Sequence, residues 1–178
     1  MAYKTQNPHL GPSGNVESFA ETSWPNDRVQ LGYLFEKGGK RYQCAKVVDA
    51  TAAQYNLLYW KNYASYEATP TIGNSSRNEL AGVVKTAIGA ANTYAWLQQG
   101  GLSIVTAGAG TFARGTIAIS DTGSNRVIPK ILEGDAGAGV GSVFTPAGLA
   151  MAATAAAVFG LAPAAGHVVV LLDIAPLA

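Results

Sequence analysis

Val29-Gln30-Leu31-Gly32-Tyr33-Leu34-Phe35-Glu36 and Lys40-Arg41-Tyr42-Gln43-Cys44-Ala45-Lys46-Val47 flank Lys37-Gly38-Gly39, and the reading of this stretch decides the fold class. Both flanks are rich in aromatic and branched side chains, which suit a pleated, half-buried surface. The two glycines between them accept the positive φ angles of a tight turn. A β-hairpin is therefore predicted. Side chains alternate along a strand, so Arg41, Gln43 and Ala45 share one face of the second strand while Tyr42, Cys44 and Lys46 share the other. Cys44 then points to a half-buried face, as a packed thiol.

Working downstream, short apolar runs recur at Leu80–Lys85, Thr93–Gln98, Leu102–Thr106, Gly115–Ser120, Arg126–Leu132 and His167–Ile174, with turn signals such as Asp121-Thr122-Gly123-Ser124-Asn125 between them. Such spacing predicts a mainly β chain, a small barrel or sandwich. Gly82-Val83-Val84 before Thr93–Leu97 finds an echo in Gly160-Leu161-Ala162 before His167–Leu171, as paired hairpins of one barrel would. Thr51–Trp60 fits both a short capped helix and an aromatic strand. Ala147–Phe159, dominated by alanine, is expected to form a short helix packed against the barrel or a neighbour.

No Asp, Glu, Lys or Arg occurs between Asp135 and Asp173, which raises the question of a membrane span. Alanine contributes little insertion energy, Gly148, Gly160 and Pro163 interrupt the stretch, and no basic flank fixes an orientation, so a span is not expected.

Upstream, residues 1–28 contain Pro8, Gly11, Pro12, Gly14 and Pro25, a density of breakers that predicts an extended N-terminal arm ahead of a β-rich domain at 29–178. The arm nevertheless carries Tyr3, Leu10, Phe19 and Trp24, apolar groups that a solvated linker does not need. These four are candidate anchors on a partner or on the chain's own domain. Met1–Pro8 holds no apolar segment and reads as a cytosolic start without a signal peptide.

Over 178 residues, 12 Lys+Arg stand against 11 Asp+Glu, a formal net charge of +1. There is no basic surplus with which to displace counterions, so nucleic acid is not an expected partner. The charged fraction is 13%, near half of the roughly 25% usual for soluble domains, while 48% is hydrophobic. A surface so poor in charge predicts a homo-oligomer or a subunit of a larger assembly. The single cysteine excludes an intrachain disulfide.

Chemistry-bearing constellations are sparse. His9 and His167 make no metal spacing with each other or with Cys44, and no metal or cofactor is expected. Gly108-Ala109-Gly110-Thr111-Phe112-Ala113 matches a dinucleotide fingerprint, with Glu133 placed as the ribose acid, but strand and turn residues follow where a helix is needed. The glycines at 137, 139 and 141 lack the Lys-Ser/Thr of a phosphate loop. Tyr55, Tyr59, Trp60, Tyr63 and Tyr66 fit core packing or a carbohydrate-stacking platform. An enzyme is not expected.

Glu79–Ala87, then Thr93-Tyr94-Ala95-Trp96-Leu97-Gln98-Gln99-Gly100-Gly101, then a strand with Gly115-Thr116-Ile117, and finally Gly160-Leu161-Ala162 with the valine-rich strand to Leu172, resemble the small β-barrel decoration, or cement, proteins of tailed-phage capsids. The likeness covers roughly residues 79–174. It implies a structural virion protein that binds the major capsid protein on the capsid exterior, as a homotrimer or homodimer, and stabilises the shell. A tail or fibre subunit and a carbohydrate-binding β module are the alternatives.

Overall fold

The computed structural model describes residues 18–20, 31–49, 51–71, 79–120, 125–129 and 146–175. They form eleven strands and, among the described residues, no helix. The strands are β1 (Ser18–Ala20), β2 (Leu34–Lys37), β3 (Lys40–Val47), β4 (Leu57–Asn62), β5 (Glu67–Thr69), β6 (Leu80–Val84), β7 (Thr93–Thr106), β8 (Ile117–Ser120), β9 (Val127–Pro129), β10 (Pro146–Ala150) and β11 (His167–Asp173). The sheet order β3-β5-β4-β6-β7 closes through β3–β7 pairing into a five-stranded barrel, which removes the open edges of those strands. Its pairs are antiparallel except β3–β5. Beyond β7 the sheet continues through β11, β10 and β8 to β9.

The predicted hairpin is β2–β3, with Lys37 opposite Lys40 and Gly38 and Gly39 both at positive φ (58° and 72°). The first strand starts at Leu34 because Gly32 takes φ 80° and spends its N–H on the Cys44 carbonyl. In β3, Ala45 and Val47 enter the barrel interior while Tyr42 and Cys44 pack with Trp96 outside it, so the alternation is as predicted. Cys44 is fully buried rather than half-buried.

Strand β4 settles the ambiguity at Thr51–Trp60 in favour of a strand. Tyr55 takes φ 69°, which breaks any helix there. Leu58 and Trp60 fill the barrel, and Leu57 and Tyr59 fill a second core with Leu80 and Val83 of β6. Both faces of β4 and β6 are thus buried, which is why their apolar runs are continuous rather than alternating.

That second core exists because β7 serves two layers. The sequence predicts two strands at Thr93–Gln98 and Leu102–Thr106; the structure has one strand of 14 residues. Gly100 and Gly101 form a bend within it, not a loop. Gln98 Nε2 donates to the carbonyls of Gly100 and Leu102 (both 3.0 Å) across that bend. Gly101 sits at φ 79°, and a Cβ there would meet the Gly39 carbonyl oxygen at 2.2 Å. The first part of β7 pairs with β3 and its last part with β11, whose Val168, Val170 and Leu172 cover Leu57, Tyr59 and Val83.

The expected helix at Ala147–Phe159 is absent. Residues through Ala150 belong to β10, paired with both β8 and β11, and the chain then runs through turns in which Ala155 and Phe159 adopt positive φ. Alanine serves close packing here instead of helix propensity: Ala147 and Ala150 are buried among β11 and β8 side chains. Gly148 lets the strands close up, since a Cβ there would strike the Leu171 carbonyl oxygen at 2.0 Å. The internal echo does not repeat in space either, because Gly82 lies in β6 whereas Leu161 only bridges Val158. Of the arm, residues 1–17 and 21–28 lie outside the described residues. Ser18–Ala20 forms β1, antiparallel to β7 at Thr93–Ala95.

Candidate functional site

Three features of the surface and its margins depart from what folding alone requires. The first is a row of aliphatic side chains on the outer face of the second sheet. Ile117 is opposite Leu149, Leu149 opposite Leu171, and Leu171 opposite Leu102, so four adjacent strands align one residue each. Ile117, Leu149 and Leu171 are 39%, 44% and 41% exposed, and Leu102 is half-buried. The opposite faces of these strands are spent on the core, so strand alternation leaves this row outward. Val169 shares the outward face yet is buried, so the open part is the Leu171 end.

The second feature is a cleft of about 430 Å³ between the β2–β3 hairpin, the β7 bend and the end of β11. Glu36, Lys37, Lys40 and Arg41 of the hairpin, Gly100 and Gly101 of the bend, and Asp173 line it. Arg41 lies over Gly100, where a side chain would crowd it at 3.2 Å, and its Nη2 donates to the Ile174 carbonyl at 2.6 Å. Its buried Nε has no partner among the described residues.

The third feature is the corner where the two layers meet. Lys85 Nζ donates to Ser103 Oγ at 3.1 Å and stands 4.7 Å from the centre of the Tyr55 ring, which in turn meets His167 edge-on at 5.5 Å. Burial, with a smaller contribution from the Lys40 charge, lowers the Lys85 amine to about 8. No carboxylate pairs with it among the described residues, where Lys61 and Asp49 form an ion pair at 2.8 Å. Ser103 is fully buried beneath the amine, so a Ser–Lys pair is present in geometry but closed to a substrate.

The candidate residues named from the sequence fall as follows. Tyr3, Leu10 and Trp24 lie outside the described residues; Phe19 is in β1, its backbone opposite Tyr94. Cys44 pairs with Trp96 and His167 with Thr106, at opposite ends of β7, so the two do not form a dyad. Desolvation pushes the Cys44 thiol up to about 12, as befits a packed, unreactive group. Gly108–Ala113 leads into a turn at Arg114–Gly115 and then β8, with no helix N-terminus to hold a phosphate. Among the described residues no three His, Cys, Asp or Glu side chains converge on a metal site.

The aromatic cluster disperses into packing. Tyr59 and Trp60 are buried in different cores, and Tyr66 meets Trp60 edge-on at 6.2 Å. A flat, open stacking platform is not built from them. The aliphatic row and the Lys85 corner were not singled out from the sequence. The exposed leucines sit in strands whose facing direction is set by pairing, and Lys85 meets Ser103 only through the bend in β7.

No known protein family, curated protein or solved structure matches this chain.

Proposed function

We propose that this chain is a structural subunit that binds the outer surface of an icosahedral tailed-phage shell and stabilises it. The observation that carries this reading is the row Ile117–Leu149–Leu171–Leu102, an aliphatic band held open on a rigid sheet. The low charge of the chain, 13%, points the same way.

The size of the band selects its occupant. Four strands at about 4.8 Å spacing, each showing one outward side chain over about 6.6 Å of its length, give a footprint of roughly 130 Å². A stable interface between two free proteins takes about 800 Å² per partner. The band is too small to hold an autonomous dimer, and suits a contact repeated over many shell sites, where each weak contact gains from multivalency. The major capsid protein is the proposed partner, and the arm residues Tyr3, Leu10, Phe19 and Trp24 are the proposed additional anchors that enlarge the contact.

The test is to measure the protein's mass by light scattering, mix it with shells that lack it, and image them by electron microscopy. Regular added density at symmetry-related positions is expected. A folded protein that decorates no shell at micromolar concentration overturns the proposal; tubes or fibres formed by the protein alone would assign it to a tail or fibre instead.

A further inference from the structure

We propose that Phe159, at the tip of the β10–β11 connection, is an anchor that inserts into an apolar pocket on a subunit of the shell. The inference rests on the shell reading and adds a contact that the aliphatic row does not contain. Val158 and Leu161 form an antiparallel bridge, in which each N–H donates to the other's carbonyl at 3.0 and 2.9 Å, so Phe159 and Gly160 are the central residues of a tight turn. Both take positive φ, 51° and 76°. Asparagine and glycine suit such positions, whereas a bulky side chain is strained there. The fold gains little from the ring in return: Phe159 is 62% exposed, the most open large apolar side chain among the described residues. The turn thus strains its backbone to hold a ring that the core does not use, and such outliers cluster at sites of binding.

The turn is fixed at its base. The Met151 N–H donates to the Val169 carbonyl (2.9 Å), the Ala155 N–H to the His167 carbonyl (2.8 Å) and the His167 N–H to the Ala164 carbonyl (3.1 Å), which ties the connection to β11. A ring presented on a fixed turn loses little freedom on binding. The connection leaves β10 at Ala150, next to Leu149, and re-enters the sheet at His167, in the strand of Leu171, so the strands at the centre of the row also bear the Phe159 turn. The row covers roughly 130 Å², and a stable contact takes about 800 Å² per partner. Shell binding therefore needs further apolar surface, and a few aromatic anchors seated in pockets carry most of an interface's energy.

The surroundings of the ring select its partner. Ala153, Ala155, Ala157 and Ala162 are exposed and small, so a partner surface can approach the turn closely. No Asp, Glu, Lys or Arg lies between Asp135 and Asp173, so this stretch lacks the basic residues that hold an aromatic anchor to an anionic membrane. An uncharged rim around an exposed ring fits an apolar protein pocket.

The experiment compares the full chain with Phe159→Asn and Phe159→Gly. Each is mixed with shells that lack the protein, and bound protein is read by co-sedimentation beside the thermal midpoint. Vesicles of phosphatidylcholine, with and without phosphatidylserine, are the membrane probes. Both variants are expected to bind shells about tenfold more weakly, while their midpoints hold or rise by a few degrees because the new residues suit the turn. Neither the parent nor the variants are expected to float with vesicles. If the parent and both variants decorate shells equally, the anchor proposal falls and the shell reading stands. If the parent decorates none, the shell reading falls and takes this one with it. A midpoint that drops in step with binding would make Phe159 a folding residue. Vesicle binding, or a parental mass above the monomer in light scattering, that both variants abolish would assign the ring to a lipid surface or to a second copy. Either of the last two results overturns the proposal.

Discussion

Lys85 Nζ reaches Ser103 Oγ at 3.1 Å although Val84, next to Lys85, pairs with Leu97. In a straight antiparallel pair Lys85 would stand opposite Trp96, seven residues and about 23 Å along β7 from Ser103. The contact therefore requires β7 to turn back over β6 at Gly100–Gly101. The same turn brings Thr106 N within 2.9 Å of the Tyr55 carbonyl. One strand thereby belongs to a barrel and to the sheet that covers it, and the corner between them buries an amine.

Burying that amine makes stability depend on pH in a stated direction. The Lys85 pKa of about 8 in the folded chain lies below the ordinary lysine value of 10.5, so between the two the unfolded chain holds more protons and stability rises with pH. The full difference is about 3 kcal/mol at 1.36 kcal/mol per unit. Cys44 acts oppositely: its folded pKa of about 12 lies above 9.0, so its contribution is complete below pH 9 and is lost as pH rises beyond it. Denaturant midpoints are expected to climb from pH 7.5 to 9 and then level off. Lys85→Met is expected to be more stable at pH 7 and to lack the climb; an unchanged pH profile in that variant would refute the assignment.

The bend at Gly101 predicts an asymmetric response to alanine. Gly101→Ala must place a Cβ on the Gly39 carbonyl at a positive φ, and an expected loss of about 2–4 kcal/mol combines that overlap with backbone strain. Gly89→Ala, with open space around it and an ordinary φ, is the control and is expected to change stability by under about 0.5 kcal/mol. Chemical denaturation of the two variants checks this.

Two tryptophans should part company. Trp60 is buried inside the barrel, so Trp60→Ala is expected to cost about 3–5 kcal/mol. Trp96 is also buried, but its Nε1 has no hydrogen-bond partner among the described residues, so Trp96→Phe keeps most of the ring and removes an unsatisfied donor. Its stability is expected to stay within about 1 kcal/mol of the parent, as read by thermal unfolding.

The aliphatic row should be dispensable for folding and needed for assembly. Leu149→Glu with Leu171→Glu alters outward positions that are 44% and 41% exposed, so the thermal midpoint is expected to hold within a few degrees. Co-sedimentation with shells is expected to fall at least tenfold. Retained co-sedimentation would remove the row from the contact.

Much of the fold was legible where local chemistry decides it. The Gly38–Gly39 turn needs only its own two residues, and the limits of β3 were read correctly because a strand between a turn and a polar loop has nowhere else to begin. The helix expected at Ala147–Phe159 failed for a complementary reason. Alanine's helix propensity is worth a few tenths of a kcal/mol per residue, and pairing to β8 and β11 with Ala147 and Ala150 in the core outweighs it. Of the surface features, none was legible: which of Leu149 and Ala150 faces outward depends on the register with Leu171.

The sequence by itself determined a β-rich chain, its hairpin, its poverty in charge and the packed state of Cys44, because turn chemistry, strand propensity and composition are local or additive. Only the tertiary structure decided that Gly100–Gly101 is a bend inside one strand rather than a loop between two. That choice turns on contacts with Gly39 and Arg41, some sixty residues away in the chain, and from it follow the double core, the buried Lys85 and the exposed row.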